Sequence, residues 1–254
     1  MWAGLRDWLM RPWRVWDWIE SLHQRGWNTV GYRAAVGAFV LTMIAITYSP
    51  SNFIMASFGR TVWDPVSSID LAIPFISWSI VAYYNLYWLF YPLPMWAHPS
   101  TPNGRKELYL TGQAMVIINF VALFFHVVFP AEVYFRDDVV ANHLPNMHAI
   151  PATMFNFLYS ADEAFNAWPS LHVAQTVLIT LVTTRWAGMR MQSDVKRKFW
   201  LTLLWLAAIT LCLSILTTKQ HFAWDLLTGL ILGWVIWAWL LLPSLNAISC
   251  DEDE

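Results

Sequence analysis

Six long apolar runs constrain the fold of this 254-residue chain more than any other feature. A helix needs about 20 predominantly apolar residues to cross the hydrocarbon core of a bilayer. The runs lie at roughly 33–49, 69–91, 111–129, 171–187, 199–217 and 222–242. Only 13% of the residues are charged, whereas soluble proteins carry roughly 25%. The sequence therefore predicts an all-α integral membrane protein with six transmembrane helices.

Proline residues mark the predicted ends of three of these spans. Pro50, Pro130 and Pro243 follow the first, third and sixth runs. Because proline lacks an N–H group and clashes with the preceding turn, we expect each of them to stop a helix. Pro74 and Gly229 fall inside runs, where neighbouring helices tolerate them.

The segment before the first span alternates tryptophan with arginine, a combination that suits the lipid headgroup region. The tryptophans are Trp2, Trp8, Trp13, Trp16, Trp18 and Trp27. We expect an amphipathic helix that breaks near Pro12 and either lies on the membrane surface or packs on the spans. The sequence thus divides into an interfacial segment at 1–32, a six-span membrane domain at 33–243, and a solvated acidic tail at 244–254.

The basic residues predict the orientation, because lysine and arginine are concentrated on the cytoplasmic side of membrane proteins. With the N-terminus inside and six spans, twelve of the fifteen basic residues fall in inside segments. The three outside are Arg60, Arg136 and Lys219. Both termini are therefore predicted to be cytoplasmic. The opposite face would be the periplasm, a lumen or the exterior, depending on the membrane.

Two short motifs begin the fourth and sixth spans on that outer face. The first is Pro169-Ser170-Leu171-His172, and the second runs from Lys219 to Asp225 and contains His221. Residues four apart share one face of a helix, so the carboxylate of Asp225 is expected beside the imidazole of His221. The long loop at roughly 130–169 lies on the same face.

These residue types suit phosphoryl transfer, which needs an in-line nucleophile, an acid for the leaving oxygen and positive charge around the phosphate. His221, held by Asp225, could attack phosphorus, and His172 could protonate the departing oxygen. Three more residues are predicted to bind the phosphate through charge, hydroxyl or backbone N–H groups: Arg136, Ser170 and Lys219. This chemistry requires no metal or other cofactor.

At these motifs the chain resembles the type 2 phosphatidic acid phosphatase superfamily, whose second and third motifs are P-S-G-H and S-R-x5-H-x3-D. Leu171 replaces the glycine, and Val173-Ala174 follow the motif; the resulting P-S-L-H-V-A run is similar to the branch that contains inositol phosphorylceramide synthases. The resemblance implies six spans, His221 as nucleophile with Asp225 as its orienting partner, and His172 as general acid.

The chain departs from the superfamily pattern at the phosphate-binding positions. Ile215 stands in place of the third-motif arginine, and Lys219 is the candidate substitute. The first motif of the superfamily is K-x6-R-P. Arg136 matches its arginine, but Phe129 and Asp137 occupy the lysine and proline positions.

The leading hypothesis is a metal-independent membrane lipid phosphatase that hydrolyses a phosphomonoester or pyrophosphate through a phosphohistidine. The first alternative is a lipid phosphotransferase that passes a headgroup to a lipid alcohol, as inositol phosphorylceramide synthases do. His172, His221 and Asp225 also match the two-histidine, one-carboxylate set of non-haem iron sites. A non-catalytic membrane protein with a degenerate motif is the remaining interpretation.

The predicted partners are the bilayer and a lipid phosphate, with a lipid alcohol as a possible acceptor. No basic patch indicates nucleic-acid binding. The other five histidines are expected to be interfacial polar residues: His23, His98, His126, His143 and His148. Asp70, near the outer end of the second run, is either interfacial or functional.

The predicted orientation is tested by an accessibility reporter inserted at residue 136, in the long outer loop. A cysteine there should be labelled by a membrane-impermeant thiol reagent on the non-cytoplasmic side of intact membranes, and a glycosylation tag there should be glycosylated. The same reporters near residue 105 should stay unmodified. Cytoplasmic labelling at residue 136 would contradict both the six-span orientation and the role of Arg136 in the site.

Overall fold

The computed structural model describes residues 2–26 and 29–250. Trp27 and the acidic residues at 251–254, which were assigned above to the interfacial segment and the solvated tail, lie outside the described residues.

The described part of the chain is helical, and its one extended pairing is an isolated bridge between Ala131 and Asn166. The α-helices in chain order are α1 (Trp2–Leu9), α2 (Arg14–Gln24), α3 (Thr29–Phe58), α4 (Ser68–Ala72), α5 (Ser79–Phe90), α6 (Leu93–Ala97), α7 (Pro102–Val128), α8 (Phe135–Asp138), α9 (Ala149–Ala161), α10 (Leu171–Arg190), α11 (Asp194–Thr217), α12 (Ala223–Val235) and α13 (Leu242–Cys250). Two π-helical turns, Val139–His143 and Ile236–Leu241, and a 3₁₀ turn, Leu144–Asn146, complete the described helical structure.

Within the described ranges, four helices are long and apolar enough to cross a membrane. They are Val30–Phe58 in α3, Pro102–Val128, Asp194–Thr217, and Ala223–Ile248, which continues from α12 through the π-helical turn into α13. These helices correspond to the predicted first, third, fifth and sixth spans, although three of them begin earlier in the chain. The protein is therefore an all-helical membrane protein with four candidate spans, and the prediction of six is not confirmed.

The predicted second span at 69–91 is not a single helix, because residues 73–78 between α4 and α5 are irregular. Pro74 explains the break, since it lacks an N–H group and disfavours the helical conformation at the residue before it. The amide of Ile76 instead donates to the carbonyl of Thr217, 2.9 Å away. α5 has only 12 residues, which is too short to cross a bilayer alone.

The helix at the predicted fourth span, α10, is long enough to cross a membrane, but it is not among the four candidate spans because it is less apolar. α10 has 20 residues, which gives about 30 Å at 1.5 Å per residue. It lies at the centre of the molecule, in contact with α5, α6, α7, α11 and α12. Its buried polar residues, Gln175, Thr176 and Thr180, therefore face other helices rather than lipid.

Two prolines do not stop helices as predicted. Pro50 lies inside α3, and Pro243 lies inside α13. Membrane helices tolerate proline where neighbouring groups satisfy the carbonyl that it frees. Before Pro243, the π-helical turn shifts the backbone hydrogen-bond pattern, which accommodates a residue without an N–H group.

The N-terminal amphipathic segment breaks near Pro12, between α1 and α2, and α2 packs on the protein itself. The indole of Trp16 donates to Gln113 over 2.9 Å and stacks on Tyr109 with a centroid separation of 5.7 Å. Glu20 forms a 2.7 Å salt bridge with Arg105. Of the two placements expected from the sequence, packing on the spans is therefore the one found for α2.

Two glycines let α12 approach the N-terminal half of α10 closely. A Cβ added at Gly229 would lie 2.8 Å from the Ser170 carbonyl oxygen and 2.9 Å from the Cβ of Val173. A Cβ at Gly233 would lie 2.5 Å from the Ala174 carbonyl oxygen. A spacing of four puts both glycines on one face, as at other close contacts between membrane helices. This contact brings together the helix starts that carry the two sequence motifs.

The close contact predicts that Gly229→Ala destabilises the protein. The added methyl group would force α10 and α12 apart, and overpacking of this kind typically costs about 1–3 kcal/mol. Gly188→Ala in α10 is the matched control, since a Cβ there meets nothing within 4 Å. Unfolding in detergent, followed by circular dichroism, should show a loss for the first variant alone. Equal stability of the two variants would contradict the close approach.

Candidate active site

His221 lies in the tight turn between α11 and α12 and is 7% exposed. The amides of Gln220 and His221 both donate to the carbonyl of Ile215, over 3.1 and 3.2 Å. Lys219 has φ of 57°, in the left-handed region that is uncommon for residues other than glycine. Such backbone strain is concentrated at functional sites. The turn therefore holds the imidazole in a defined place just before α12.

The imidazole of His221 is oriented through its Nδ1 atom. Nδ1 lies 2.9 Å from the carbonyl oxygen of Ala167 and 3.1 Å from Oδ2 of Asp225. Both neighbours are acceptors, so Nδ1 carries the proton and Nε2 keeps its lone pair. Oδ2 of Asp225 also accepts the amide of Phe222 over 2.9 Å. The predicted pairing of His221 with Asp225 is thus present in the structure.

The two sequence motifs meet at this point. Oγ of Ser170 lies 3.4 Å from Nε2 of His221, and the amide of Ser170 donates to the carbonyl of Asp225 over 3.2 Å. The ring of His172 is the neighbour of the His221 ring, with centroids 6.0 Å apart. Four of the six predicted site residues therefore form one cluster.

His172 is placed by tyrosines that the sequence analysis did not single out. Its ring centroid lies 4.9 Å from that of Tyr83 and 4.3 Å from that of Tyr87. The Tyr87 hydroxyl donates to Gln175 over 2.8 Å, which ties α5 to α10. The spacing of four between the two tyrosines was a usable signal, since it places both on one face of a helix.

Arg136, in α8, is buried and pairs with Asp162. Its Nη1 donates to the Asp162 carbonyl over 2.8 Å, and its Nη2 donates to Asp162 Oδ2 over 2.9 Å. Burial by itself lowers the pKa of Arg136, but the Asp162 carboxylate raises it, and the net direction is upward. Tyr48 and Asn52 of α3 donate to Oδ1 of Asp162 over 2.9 and 2.7 Å. Arg136 thus remains a cation within a neutral pair.

The pair of Arg136 and Asp162 belongs to the same region as the histidines. The Asn166 side chain donates to Asp162 over 3.0 Å, and the next residue is Ala167, which binds His221. Asp162 and His172 both line a cavity of about 280 Å³, enclosed largely by tyrosines and apolar side chains of α3, α5 and α9. Asp162 is the member of this cluster that was hardest to predict from the sequence.

Lys219 makes different contacts from those predicted. Its Nζ donates to the carbonyls of Asp70 and Ile73 over 2.7 and 2.6 Å and lies 4.9 Å from the centroid of the Phe135 ring. Burial lowers its pKa. In this arrangement the ammonium group stabilises the irregular segment after α4. Its role as a phosphate ligand stays a prediction.

Asp70 and His126 both contact backbone groups next to the site. Oδ1 of Asp70 accepts the amide of Ala223 over 2.6 Å at the first residue of α12. Nε2 of His126 lies 3.3 Å from the carbonyl oxygen of Pro169. His126 and His98 are both buried inside the protein, so neither is a side chain exposed at its surface. Both bury a polar group that has a partner inside the fold.

The arrangement does not favour the two-histidine, one-carboxylate metal site. The Asp225 carboxylate binds Nδ1 of His221 instead of converging with the two histidines on a common point. Within residues 2–26 and 29–250, no group of three or more His, Cys, Asp and Glu side chains is arranged to hold a metal ion.

The fold and the cluster define a class: a helical membrane protein with a carboxylate-oriented histidine beside a second histidine. The family profile of the PAP2 superfamily matches residues 108–247, which is more than half of the chain. The protein therefore belongs to the PAP2 superfamily, whose members are phosphoesterases or phosphotransferases. A comparison with curated proteins gives no match.

The buried ion pair between Arg136 and Asp162 predicts strong energetic coupling. Removing one partner of a buried pair typically costs about 3–5 kcal/mol, because the other charge is left uncompensated. Arg136→Gln and Asp162→Asn should each lower the free energy of unfolding. The double variant should lower it by clearly less than the sum of the two single losses. A double-mutant cycle by unfolding in detergent measures the coupling. Additive losses would show that the two side chains do not interact in solution.

Proposed function

We propose that this protein is a membrane lipid phosphatase that hydrolyses a lipid phosphomonoester or pyrophosphate through a phosphohistidine at His221. The observation that carries the proposal is the fixed tautomer of this residue. With Nδ1 held by Asp225 and the carbonyl of Ala167, the lone pair of Nε2 is available for attack. No metal is needed for this reaction.

In the first step, Nε2 of His221 attacks phosphorus, forming a P–N bond as the bond from phosphorus to the lipid oxygen breaks. His172, acting as the acid, transfers a proton to the departing lipid alcohol. In the second step His172, now neutral, removes a proton from water, and the oxygen attacks phosphorus. The P–N bond breaks and phosphate is released. Ser170 and Arg136 stabilise the charge on the phosphoryl oxygens, with Lys219 as a third candidate.

The cavity beside His172 supports a lipid as the leaving group. In an in-line displacement the leaving oxygen lies opposite the nucleophile, where the general acid must reach it. The cavity that His172 lines is walled by apolar side chains of α3 such as Leu41 and Ile44, and by aromatic rings of α5. An apolar chain attached to the leaving oxygen would pack against these side chains. The orientation predicted from the basic residues puts the reaction on the periplasmic, lumenal or extracellular face, with both termini cytoplasmic.

A second candidate is the transfer of a headgroup phosphate to a lipid alcohol, as in the inositol phosphorylceramide synthase-like branch. One observation favours it. The charge of Arg136 is balanced by Asp162, and two positions that carry cations in the superfamily motifs are apolar here, Phe129 and Ile215. A phosphodiester carries one negative charge and a phosphomonoester carries up to two. The low positive charge of the site suits the former.

The proposal predicts that His221→Ala abolishes turnover. Phosphate release from a panel of lipid phosphates and pyrophosphates, with chelator present, should fall by roughly 1,000-fold or more, since a covalent nucleophile is removed. His143→Ala is the matched control, because His143 is exposed and its nearest charged partner is Asp138. Mass spectrometry of acid-sensitive phosphorylated peptides should find the label on residue 221 of the wild-type protein.

The outcomes separate the candidate functions. Activity of His221→Ala within a few-fold of wild type would refute the nucleophile assignment. No phosphate release, combined with transfer of a labelled headgroup to an added lipid alcohol, would establish the second candidate. Loss of wild-type activity on chelation would restore the metal-dependent interpretation. Failure of both assays with folded protein would favour a non-catalytic role.

A further inference from the structure

A second, larger cavity lies at the opposite end of α10 from His172. It has a volume of about 710 Å³ and is bounded by α5, α6, α10 and α11. Its walls are almost entirely apolar and include Leu89, Phe90, Leu204 and Ala207. The volume is within the range of roughly 300–1,000 Å³ that is typical of small-molecule pockets. None of the six predicted site residues lines it, so it is separate from the site described above.

One end of this cavity is positively charged. Among the described residues that line it, Arg190 alone carries a formal charge. Nη1 of Arg190 donates to the carbonyls of Trp96 and Ala97, each over 2.8 Å, which fixes the guanidinium at the end of α10. A guanidinium has five N–H donors, so the remaining ones stay available to a ligand.

The chain around Arg190 strengthens this positive charge. Residues 185–198 contain five basic residues and a single acidic one, Asp194. Two of the five basic residues are paired with carboxylates, Arg185 with Glu107 and Arg197 with Asp194, so the net positive charge of this segment comes from Arg190, Lys196 and Lys198. Trp200 also lines the cavity, and tryptophan is enriched where a membrane meets water. The cavity therefore combines an apolar interior with a cationic, interfacial end.

We propose that this cavity binds an anionic phospholipid of the cytoplasmic leaflet, with an acyl chain along α5 and α11 and the headgroup phosphate at Arg190. Charge complementarity selects this occupant, because basic pockets between membrane helices on the cytoplasmic side bind acidic headgroups. A zwitterionic lipid offers the same acyl chains, but its own cation would face the basic end. The proposal does not depend on catalysis at His221.

The test is native mass spectrometry of the full-length protein, released from detergent after incubation with phosphatidylglycerol or phosphatidylcholine of identical chains. The wild type should retain phosphatidylglycerol several-fold more than phosphatidylcholine. Arg190→Gln should abolish that preference. Arg60→Gln is the matched control, since it removes the same charge from a residue exposed in another part of the chain. Its preference should equal that of the wild type.

A second variant controls for a folding defect in Arg190→Gln, because Arg190 also donates hydrogen bonds to two backbone carbonyls. Ala207→Phe places a ring in the cavity and keeps every charge, and it should reduce retention of phosphatidylglycerol several-fold. Equal retention of the two lipids by the wild type would overturn the proposal. It would equally be overturned if Arg190→Gln and Arg60→Gln retained the same amount of phosphatidylglycerol, or if Ala207→Phe bound it as well as the wild type.

Discussion

The hydrogen bonds of His221 Nδ1 to Asp225 and to the carbonyl of Ala167 are the contacts on which the rest of the site depends. A buried polar group without a hydrogen-bond partner costs several kcal/mol, so each group that orients His221 needs hydrogen-bond partners of its own. Phe222 supplies its amide to Asp225, and Asp70 supplies a carboxylate to the first amide of α12. The result is a helix start at which Oδ2 of Asp225 and Oδ1 of Asp70 each accept a backbone N–H group.

Close packing between α10 and α12 brings the two motifs together into one site. The amide of Ser170 binds the carbonyl of Asp225, so the two motifs are joined through their backbones as well as their side chains. Gly229 makes the approach possible, because any larger residue would meet the carbonyl of Ser170. The distance between the two histidines is therefore a property of helix packing. It does not rely on a flexible loop to bring them together.

Local spacing explains what could be predicted from the sequence. The pairing of His221 with Asp225 follows from a separation of four residues, and the spans of α7 and α11 follow from their apolar runs. The association of Arg136 with Asp162 and Tyr48 could not be predicted in this way, since it joins residues far apart in the chain. The direction of the Lys219 side chain could not be predicted either, because it depends on a left-handed backbone and on carbonyls freed by a helix break.

If the site binds a phosphate as proposed above, the ion pair of Arg136 and Asp162 limits how that phosphate can bind. Asp162 accepts from Nη1 and Nη2, while Nε of Arg136 is buried without a hydrogen-bond partner in the described structure. A phosphate that reached Nε in the proposed reaction would add to the pair without displacing Asp162, which accepts hydrogen bonds from Tyr48 and Asn52. Because that pair is neutral, much of the attraction for the phosphate must come from dipoles such as the N-terminus of α10 and the hydroxyl of Ser170. Dipoles stabilise charge that develops in a transition state while adding less attraction for a highly charged ground state than a set of free cations would.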